Sequence, residues 1–405
     1  MKNSEVVFAP DTSYSCGKCL KCCKGDWLIA ITLEEVELLK SLYPNVNPVS
    51  GEDEIDGKKI YLIARNEKNE CIFLTESGCK IHIEYGFDKK PAVCKRFPFF
   101  PKQWDGKNYF HLSYMCPSVY ANRGAKGERL ISDACASATE KFSGAEIQEE
   151  VHLAGTQTIS NCEYLLLEEK ISRLILDPRF SLDDALLAGL TLIRRASDSE
   201  SINQIKNKSS DLDEALDIVM ESIAKRAPML GLYRYMIASI ITNIESRRGA
   251  RFEFSTWKND LSVFSKLLMN RGRIELNRTG LIFNAQHLYN IHWPRKEKPD
   301  LMPLRRYIVS HLNHKFLLTA SDIEFAYHLL LGAYSAVKYY TRAFAASEKR
   351  SMISSSNLQR GIECVEYNLM LHRPMKERLW KKKIVRGWAR KFLFHHSYPS
   401  SMVLF

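Results

Sequence analysis

The chain has 405 residues, 11 cysteines and a formal net charge of +11, and 45% of its residues are hydrophobic. The length predicts two or three domains, and the hydrophobic content is typical of a globular protein with a real core. The first ten residues lack the apolar run of a secretory signal, and the longest apolar stretch, residues 325–337, is short for a bilayer span, so we expect a cytoplasmic protein without a transmembrane segment.

The front quarter of the chain predicts mixed structure. Thr32 and Glu35 form the pattern of a capping box, and the helix LEEVELLKSLY is expected to follow and to end near Pro44. The segments KKIYLIAR and CIFLT are typical of short strands. The segment FPKQWDGKNYFHLSY alternates about Asp105 and Gly106, which are preferred residues of a tight hairpin turn.

From about residue 130 onward the pattern is helical. Apolar residues recur at three- and four-residue spacing in the segments NCEYLLLEEKISRLIL, SLDDALLAGLTLIRRA, DLDEALDIVMESIAKRA, LGLYRYMIASIITNIESRR and SDIEFAYHLLLGAYSAVKYYTRAF. Polar stretches at 198–211 and 293–303 are expected to be loops or seams between subdomains. We therefore predict the α+β class, with a small, mixed, cysteine-rich domain at 1–128 followed by a mostly α-helical domain at 129–405.

The cysteines are concentrated in the front domain. Eight of them are candidate metal ligands: Cys16, Cys19, Cys22, Cys23, Cys71, Cys79, Cys94 and Cys116. The last four fall near the ends of predicted strands and turns, which can converge on one point and meet the amino-terminal run. Cys135, Cys162 and Cys364 stand singly in apolar helical sequence and are expected to be buried as small hydrophobic residues.

The run CGKCLKCC favours a metal site over a disulfide or a redox-active thiol. Clustered cysteines in a reducing cytosol are more often metal-binding or catalytic than disulfide-bonded, and adjacent Cys22 and Cys23 would form a strained disulfide. Three cysteines at two-residue gaps, with a remote cysteine followed by proline, form the ligand pattern of bacterial [4Fe–4S] ferredoxins, and Cys116-Pro117 fits that last detail.

Zinc is the alternative metal. Structural zinc usually takes two C-x-x-C knuckles, or cysteine with histidine, whereas this chain has one tight run and four single cysteines. The pattern therefore favours an iron–sulfur cluster. Eight thiolates are enough for two four-ligand sites. The adjacent side chains of Cys22 and Cys23 are expected to point in different directions, which would let them serve separate sites. One cluster with spare thiols fits the sequence equally well.

Side chains near the cysteines predict the surroundings of the site. The cations are expected to lower thiol pKa values and to offset thiolate charge; they are Lys18, Lys21, Lys24, Lys80, Lys95 and Arg96. Trp27, Tyr85 and Phe97 are expected to shield a cluster from water. His82 and His111 are minor candidates for nitrogen ligands.

The cysteine run and the later segment CKIHIEYGFDKKPAVCKRFPF together resemble the YkgJ-type cysteine-cluster family. The hallmarks of that family are C-x-x-C-x-x-C-C, a helix entered through threonine, and a later C-x-I-[YH] followed by P-x-x-C-[RK]-x-[FY]-P. Thr32 supplies the helix entry here, and the later hallmark runs from Cys79 to Pro98. The resemblance covers residues 14–120 and implies a zinc- or iron-chelating domain without fixing the metal.

The order of a cysteine cluster before a long helical region is similar to the flagellin lysine-N-methylase (FliB) family. That likeness implies protein-lysine methylation, with S-adenosylmethionine as the methyl donor and a flagellin-like protein as the substrate. The chain contains no G-x-G-x-x-G, H-E-x-x-H, P-loop or G-x-S-x-G motif, so no catalytic residue is identified. Two functions stay open: an iron–sulfur protein acting as a lysine N-methylase, or a structural zinc module with a helical interaction scaffold and no catalysis.

A basic segment at 374–394 predicts a terminal amphipathic helix. Its aromatic and aliphatic residues recur at three- and four-residue steps, and its lysines and arginines lie mostly off that stripe. Docking of the stripe on the helical domain is the simpler interpretation, and an anionic surface or an acidic partner is the alternative. No nucleic-acid-binding motif accompanies the helix, so no specific nucleic acid is expected.

Overall fold

The computed structural model of the chain describes residues 5–25, 27, 29–55, 58–137, 150–155, 157–197, 212–246, 254–294, 300–370 and 393–405. The chain forms two compact units, residues 1–144 and 145–405. Short strands and short helices make up the first unit and the second is mostly helical, which confirms the predicted α+β class. The predicted seam at 198–211 and the basic segment at 374–392 lie outside the described residues.

Unit 1 contains eight strands among its described residues: β1 Val6–Phe8, β2 Ala30–Ile31, β3 Val49–Ile55, β4 Lys58–Ile63, β5 Leu74–Thr75, β6 Gly78–Cys79, β7 Phe99–Trp104 and β8 Lys107–Leu112. Its helices are short: α1 Lys21–Lys24, α2 Leu33–Leu42, α3 Lys80–Tyr85, α4 Ala92–Arg96, α5 Pro117–Ala121 and α6 Gly127–Ser137. Helix α6 contacts α4 and therefore lies with unit 1, beyond the division that the sequence placed after residue 128.

The strands of unit 1 form two three-stranded sheets and a short hairpin. In the first sheet β8 lies between β1 and β7, parallel to β1 and antiparallel to β7. The predicted β7–β8 hairpin is present, and Asp105 and Gly106 both have positive φ, 48° and 71°, as its two-residue turn requires. The second sheet has the antiparallel order β2-β4-β3. In the hairpin, Leu74 of β5 pairs with Cys79 of β6.

Local sequence signals set the ends of these elements. Helix α2 begins with the predicted capping box, in which Glu35 N donates to Thr32 Oγ1 over 3.3 Å and Thr32 N donates to Glu35 Oε2 over 2.9 Å. The strand predicted over CIFLT is mostly wrong, because the chain turns after Cys71 and only Leu74–Thr75 is a strand.

A hydrophobic core joins the second sheet to α2. Ile31 of β2, Val36 and Leu39 of α2, and Phe73 are nearly inaccessible to solvent. Cys71 is buried in the same cluster, and Cys23, Cys79 and Cys94 pack against it. The core of unit 1 therefore lies directly beside four of the eight candidate ligands.

Unit 2 is built mainly from helices. Within the described residues they are α7 Asn161–Leu176, α8 Leu182–Ala196, α9 Leu212–Ala224, α10 Leu230–Glu245, α11 Phe254–Met269, α12 Ala285–Leu288, α13 Met302–Asn313, α14 Ile323–Ser347, α15 Ser355–Val365 and α16 Tyr398–Leu404. The five helices read from the sequence pattern are all present. Two antiparallel hairpins are additional to that prediction: β9 Val151–Ala154 with β10 Gln157–Ile159, and β11 Arg273–Leu276 with β12 Leu281–Asn284.

Helix α14 is the centre of unit 2. It contacts α8, α10, α15 and α16, and its side chains are buried along nearly its whole length. Two of the polar pairs in this interior are close: Lys315 Nζ lies 2.6 Å from Glu168 Oε1, and Tyr340 donates to Glu245 over 2.8 Å. No helix in the described part of the chain combines the length and the apolar character needed to cross a bilayer.

Candidate metal centre

The start of the cysteine run is held against the segment that follows Cys116. Tyr14 and Ala125 exchange backbone hydrogen bonds of 3.0 and 3.1 Å, and Gly17 N donates to Ser118 Oγ over 3.1 Å. A Cβ at Gly17 would lie 2.8 Å from that hydroxyl oxygen, so glycine permits the close approach. These contacts bring residues that are about a hundred positions apart in sequence into one place.

The backbone of the cysteine run turns sharply at two residues. Lys18 and Leu20 both adopt the left-handed region, with φ of 51° and 61°, a conformation that costs a non-glycine residue roughly 1–2 kcal/mol. Cys23 N then donates to Leu20 O over 2.9 Å as α1 begins. Cys16, Cys19 and Cys22 are left exposed, whereas Cys23 is half-buried against the core.

Three more cysteines reach the same core from later segments of the chain. Cys71 N donates to Cys23 O over 2.9 Å, which fixes Cys71 beside the end of the run. Cys79 pairs with Leu74 in the β5–β6 hairpin, and Cys94 lies on α4, which contacts β2. Sheet pairing, a loop contact and a short helix thus bring four cysteines to one hydrophobic cluster.

The carboxylate of Glu35 links the helix carrying Cys94 to α2. Its Oε1 accepts a hydrogen bond of 2.6 Å from Ala92 N, the first residue of α4, while its Oε2 completes the capping box of α2. A charged acceptor strengthens both bonds. Glu35 therefore fixes the position of α4, and with it the Cys94 thiol, relative to the core.

The thiols fall into two neighbourhoods. The Tyr14 hydroxyl interacts electrostatically with Cys116 and Cys16, and burial, reinforced by those thiols, raises the Tyr14 pKa well above its ordinary value. Cys116, which is buried, also lies near Cys19. We call Cys16, Cys19 and Cys116 the outer thiols, and Cys23, Cys71, Cys79 and Cys94 the inner thiols. Cys22 hydrogen-bonds with Cys23 and also interacts electrostatically with Tyr14, so it lies between the two sets.

Hydrogen bonds among the thiols lower the pKa values of some cysteines and raise that of another. The Cys23 thiol lies between Cys22 and Cys71, and its hydrogen bonds lower the pKa of Cys22 to about 6 and that of Cys71 to about 7. The same bonds raise the pKa of Cys23 itself. Burial raises the pKa values of Cys94 and Cys116. Thiolates are therefore favoured at Cys22 and Cys71.

The cysteine sulfur atoms lie in one region of unit 1 but are not arranged around a single metal ion. Sulfur ligands at about 2.3 Å from a tetrahedral zinc ion lie about 3.8 Å apart. Among the described residues, no three cysteine sulfur atoms all lie within 4.8 Å of one another. An iron–sulfur cluster spreads its cysteine ligands over several iron atoms and therefore holds them farther apart.

The charged neighbours differ from those that the sequence singled out. Lys90 lies in electrostatic contact with Cys22 and Cys94, and Arg65 with Cys71. Both cations favour thiolates, yet neither is adjacent to a cysteine in the sequence. Lys80, one of the predicted cations, instead lies 5.0 Å from the ring centroid of Tyr43.

Two aromatic rings stack beside the core that the inner thiols adjoin. Trp27 packs against the core cluster and stacks on Phe97, with ring centroids 5.8 Å apart. A Cβ at Gly25 would lie 2.1 Å from the Trp27 ring, so only glycine leaves room for this packing. Tyr85 is 43% exposed and its hydroxyl donates to Leu42 O over 3.2 Å, so its expected shielding role is not evident.

The three scattered cysteines lie outside this centre. Cys135 and Cys162 are exposed, so the prediction that they are buried is wrong. The buried face of α7 includes Tyr164 and Leu167, and Cys162 points away because two residues correspond to about 200° around a helix. Cys364 is half-buried, and burial of its sulfur raises its pKa.

Comparison with known proteins identifies the front of the chain. Residues 15–117 match the model of the CxxCxxCC family, which is described as a "putative zinc- or iron-chelating domain". An uncharacterized protein of Methanocaldococcus jannaschii is 30% identical over 133 residues, which cover 32% of this chain and 44% of that protein. The chain thus spans less than half of this relative's length. No solved structure matches the chain.

Proposed function

We propose that the metal-binding domain at residues 15–117, which belongs to the CxxCxxCC family, carries a [4Fe–4S] cluster on Cys16, Cys19, Cys22 and Cys116. Family membership supports binding of zinc or iron. The observation that carries the choice of a cluster is the contact between the exposed run and the remote Cys116, which Tyr14 and Gly17 maintain. Three closely spaced cysteines with a remote Cys-Pro are the ligand set of bacterial ferredoxins.

The donor set of this domain fits such a cluster. Its ligands are thiols, which soft metals and iron–sulfur clusters prefer. Cys22 already has a lowered pKa, of about 6, and Lys90 lies close enough to offset part of the thiolate charge. Among the described residues no three cysteine sulfur atoms lie within 4.8 Å of one another, which suits a multinuclear centre better than a single zinc ion.

A bound cluster supplies electron transfer or a Lewis-acidic iron. The surrounding residues decide how the site is reached. The exposed Cys16, Cys19 and Cys22 leave one side of the centre open to solvent, while Trp27 packs against the core and stacks on Phe97. Solvent access and nearby hydrogen bonds set the reduction potential of such a cluster. The open side is where a redox partner or substrate in the cytoplasm would approach.

Protein-lysine N-methylation is a second candidate function. It is supported by the order of the units, a cysteine-rich unit followed by a mostly helical one, which is similar to flagellin lysine-N-methylases. Under this proposal S-adenosylmethionine donates the methyl group and a flagellin-like protein accepts it. Co-expression with a flagellin, followed by mass spectrometry of the flagellin, tests this proposal. Methyl groups on flagellin lysines support it. Unmodified flagellin lysines, in cells where this chain carries its cluster, contradict it.

Metal analysis tests the cluster directly. The full chain, purified without oxygen, is expected to be brown and to contain iron and acid-labile sulfide in similar amounts. Serine at Cys116 should remove that iron, while serine at the exposed Cys162 of unit 2 serves as the matched control. A colourless protein with stoichiometric zinc would instead support the structural zinc module with a helical scaffold.

A further inference from the structure

We propose that unit 1 docks a protein electron carrier with an acidic surface on the exposed side of its cysteine run. Four cations form this surface, and we call them the basic face: Lys18, Lys24, Lys90 and Arg123. The apolar side chains of Ile83 and Phe87 lie at its edge. The inference rests on the proposed function, because it takes the exposed side of the cluster as the place where electrons enter, and it adds the chemistry of the partner.

The segments that carry the outer thiols are rich in cations and contain no acidic residue. Residues 12–25 include three lysines, and residues 113–127 include one arginine and one lysine. Lys126 pairs with Asp11 over 2.6 Å. The three members of the basic face in these segments are exposed and form no ion pair within the described part of the chain. Their charges are therefore available to a partner.

Tertiary contacts place the basic face beside the exposed thiols. Two of its lysines belong to the cysteine run itself. Ser15 N donates to Arg123 O over 3.1 Å, so the backbone at Arg123 lies beside the start of the run. Lys90 comes from a later segment and is in electrostatic contact with Cys22. Cations from three separate segments thus lie next to one group of thiols.

Two exposed apolar side chains lie at the edge of the basic face. Ile83 of α3 is 56% exposed and Phe87 is 39% exposed. A Cβ at Gly78 would lie 3.5 Å from Ile83 Cδ1 and 3.9 Å from Leu20 Cδ2, so Ile83 lies beside the cysteine run. The Lys90 ammonium lies 5.3 Å from the centroid of the Phe87 ring. Apolar side chains next to charged ones are the arrangement of a protein–protein interface.

This combination favours a protein partner over a nucleic acid. Surfaces that bind single-stranded nucleic acids stack bases on aromatic rings, and Ile83, the more exposed of the two apolar side chains, has no ring. Complementary charge speeds the encounter of two proteins and orients them, and small interfaces allow the weak binding of electron carriers. In the exchange, one electron leaves the reduced carrier, which is oxidised by one electron, and the cluster gains that electron.

Binding of flavodoxin, a small acidic flavin protein, to the anaerobically purified full chain tests the proposal. Isothermal titration calorimetry gives the affinity at about 0.05 M and about 0.5 M NaCl. The variant Lys18→Glu/Lys24→Glu reverses two charges of the basic face. The control, Arg271→Glu/Lys349→Glu, makes the same change in net charge at exposed positions of unit 2.

The expected affinities follow from the screening of exposed charge. The wild type and the control should bind flavodoxin at the lower salt concentration and lose about tenfold in affinity at the higher one. Lys18→Glu/Lys24→Glu should bind about tenfold more weakly than the control at low salt. Ile83→Ser should weaken binding by a similar factor at both salt concentrations, because salt does not screen an apolar contact. Cytochrome c, a basic electron carrier, should not bind.

Each outcome decides the proposal. Equal affinities of the wild type and Lys18→Glu/Lys24→Glu would overturn the docking surface, as would a cluster-bearing wild type that does not bind flavodoxin at low salt. Tighter binding of a single-stranded DNA oligonucleotide than of flavodoxin would overturn the choice of a protein partner. Iron and sulfide are measured in the same samples. A wild type that binds flavodoxin through the basic face without holding iron would refute the proposed function while supporting the docking surface.

Discussion

Replacing Glu35 with alanine should weaken unit 1 and its hold on metal. The carboxylate accepts from Thr32 N and Ala92 N, so Glu35→Ala removes the capping box of α2 and the link to α4 together. The Thr32 cap itself survives, because the backbone N–H of residue 35 still donates to Thr32 Oγ1, and loss of a hydrogen bond to a charged acceptor costs roughly 1.5–3 kcal/mol. Because Glu35 is only half-buried, we expect about 2–3 kcal/mol in the free energy of unfolding.

Two matched variants sharpen this prediction. Glu37→Ala removes an exposed carboxylate from the same helix and should change the stability by less than about 0.5 kcal/mol. Glu35→Gln keeps a capping side chain without the charge and should fall between the two. Chemical denaturation followed by circular dichroism gives the stabilities, and the rate of metal transfer to a chelator gives the metal retention. Equal stability and equal metal retention in Glu35→Ala and Glu37→Ala would refute the role assigned to Glu35.

Three further predictions concern the packing and titration of single residues. Gly25→Ala should displace the Trp27 ring and destabilise unit 1 by about 1–3 kcal/mol. Gly51→Ala is the control, because its added carbon has open space around it and the change should be nearly neutral. Equal unfolding curves for the two variants would contradict the role of Gly25. Burial lowers the pKa of His328 from 6.5 to about 4, so the unfolded state binds the proton first as the pH falls. The free energy of unfolding of unit 2 should therefore fall by on the order of 3 kcal/mol between pH 6.5 and 4. His328→Phe should remove that part of the pH dependence in urea titrations, and an unchanged slope would argue against it. Iodoacetamide should alkylate the exposed Cys162 rapidly in the metal-loaded chain and spare the eight front cysteines until the metal is removed; rapid labelling of all sites by mass spectrometry would count against ligation.

Local signals in the sequence predict the individual elements well. The periodicity of NCEYLLLEEKISRLIL matches α7 residue for residue, and the Asp105-Gly106 turn forms where the alternation predicts it. The β11–β12 hairpin carries a similar signal, since Ile274, Leu276 and Leu281 are buried in alternation. Its short strands lie among longer helical patterns, which is why the helical period dominated the interpretation of this region.

The arrangement of the thiols depends on contacts that no local spacing encodes. Cys116 meets the outer run through backbone bonds between Tyr14 and Ala125, and Cys71 meets Cys23 through one backbone bond. Lys90 and Arg65 reach the thiols only once those contacts exist. The sequence therefore predicts the ligand types and leaves their grouping to the tertiary structure.

A crystal structure of the anaerobically purified full chain, with anomalous data collected above and below the iron absorption edge, tests the central claim most directly. We predict an iron peak bonded to Cys16, Cys19, Cys22 and Cys116. Metal-free thiols at these four positions, or disulfide bonds joining these cysteines, would contradict the prediction.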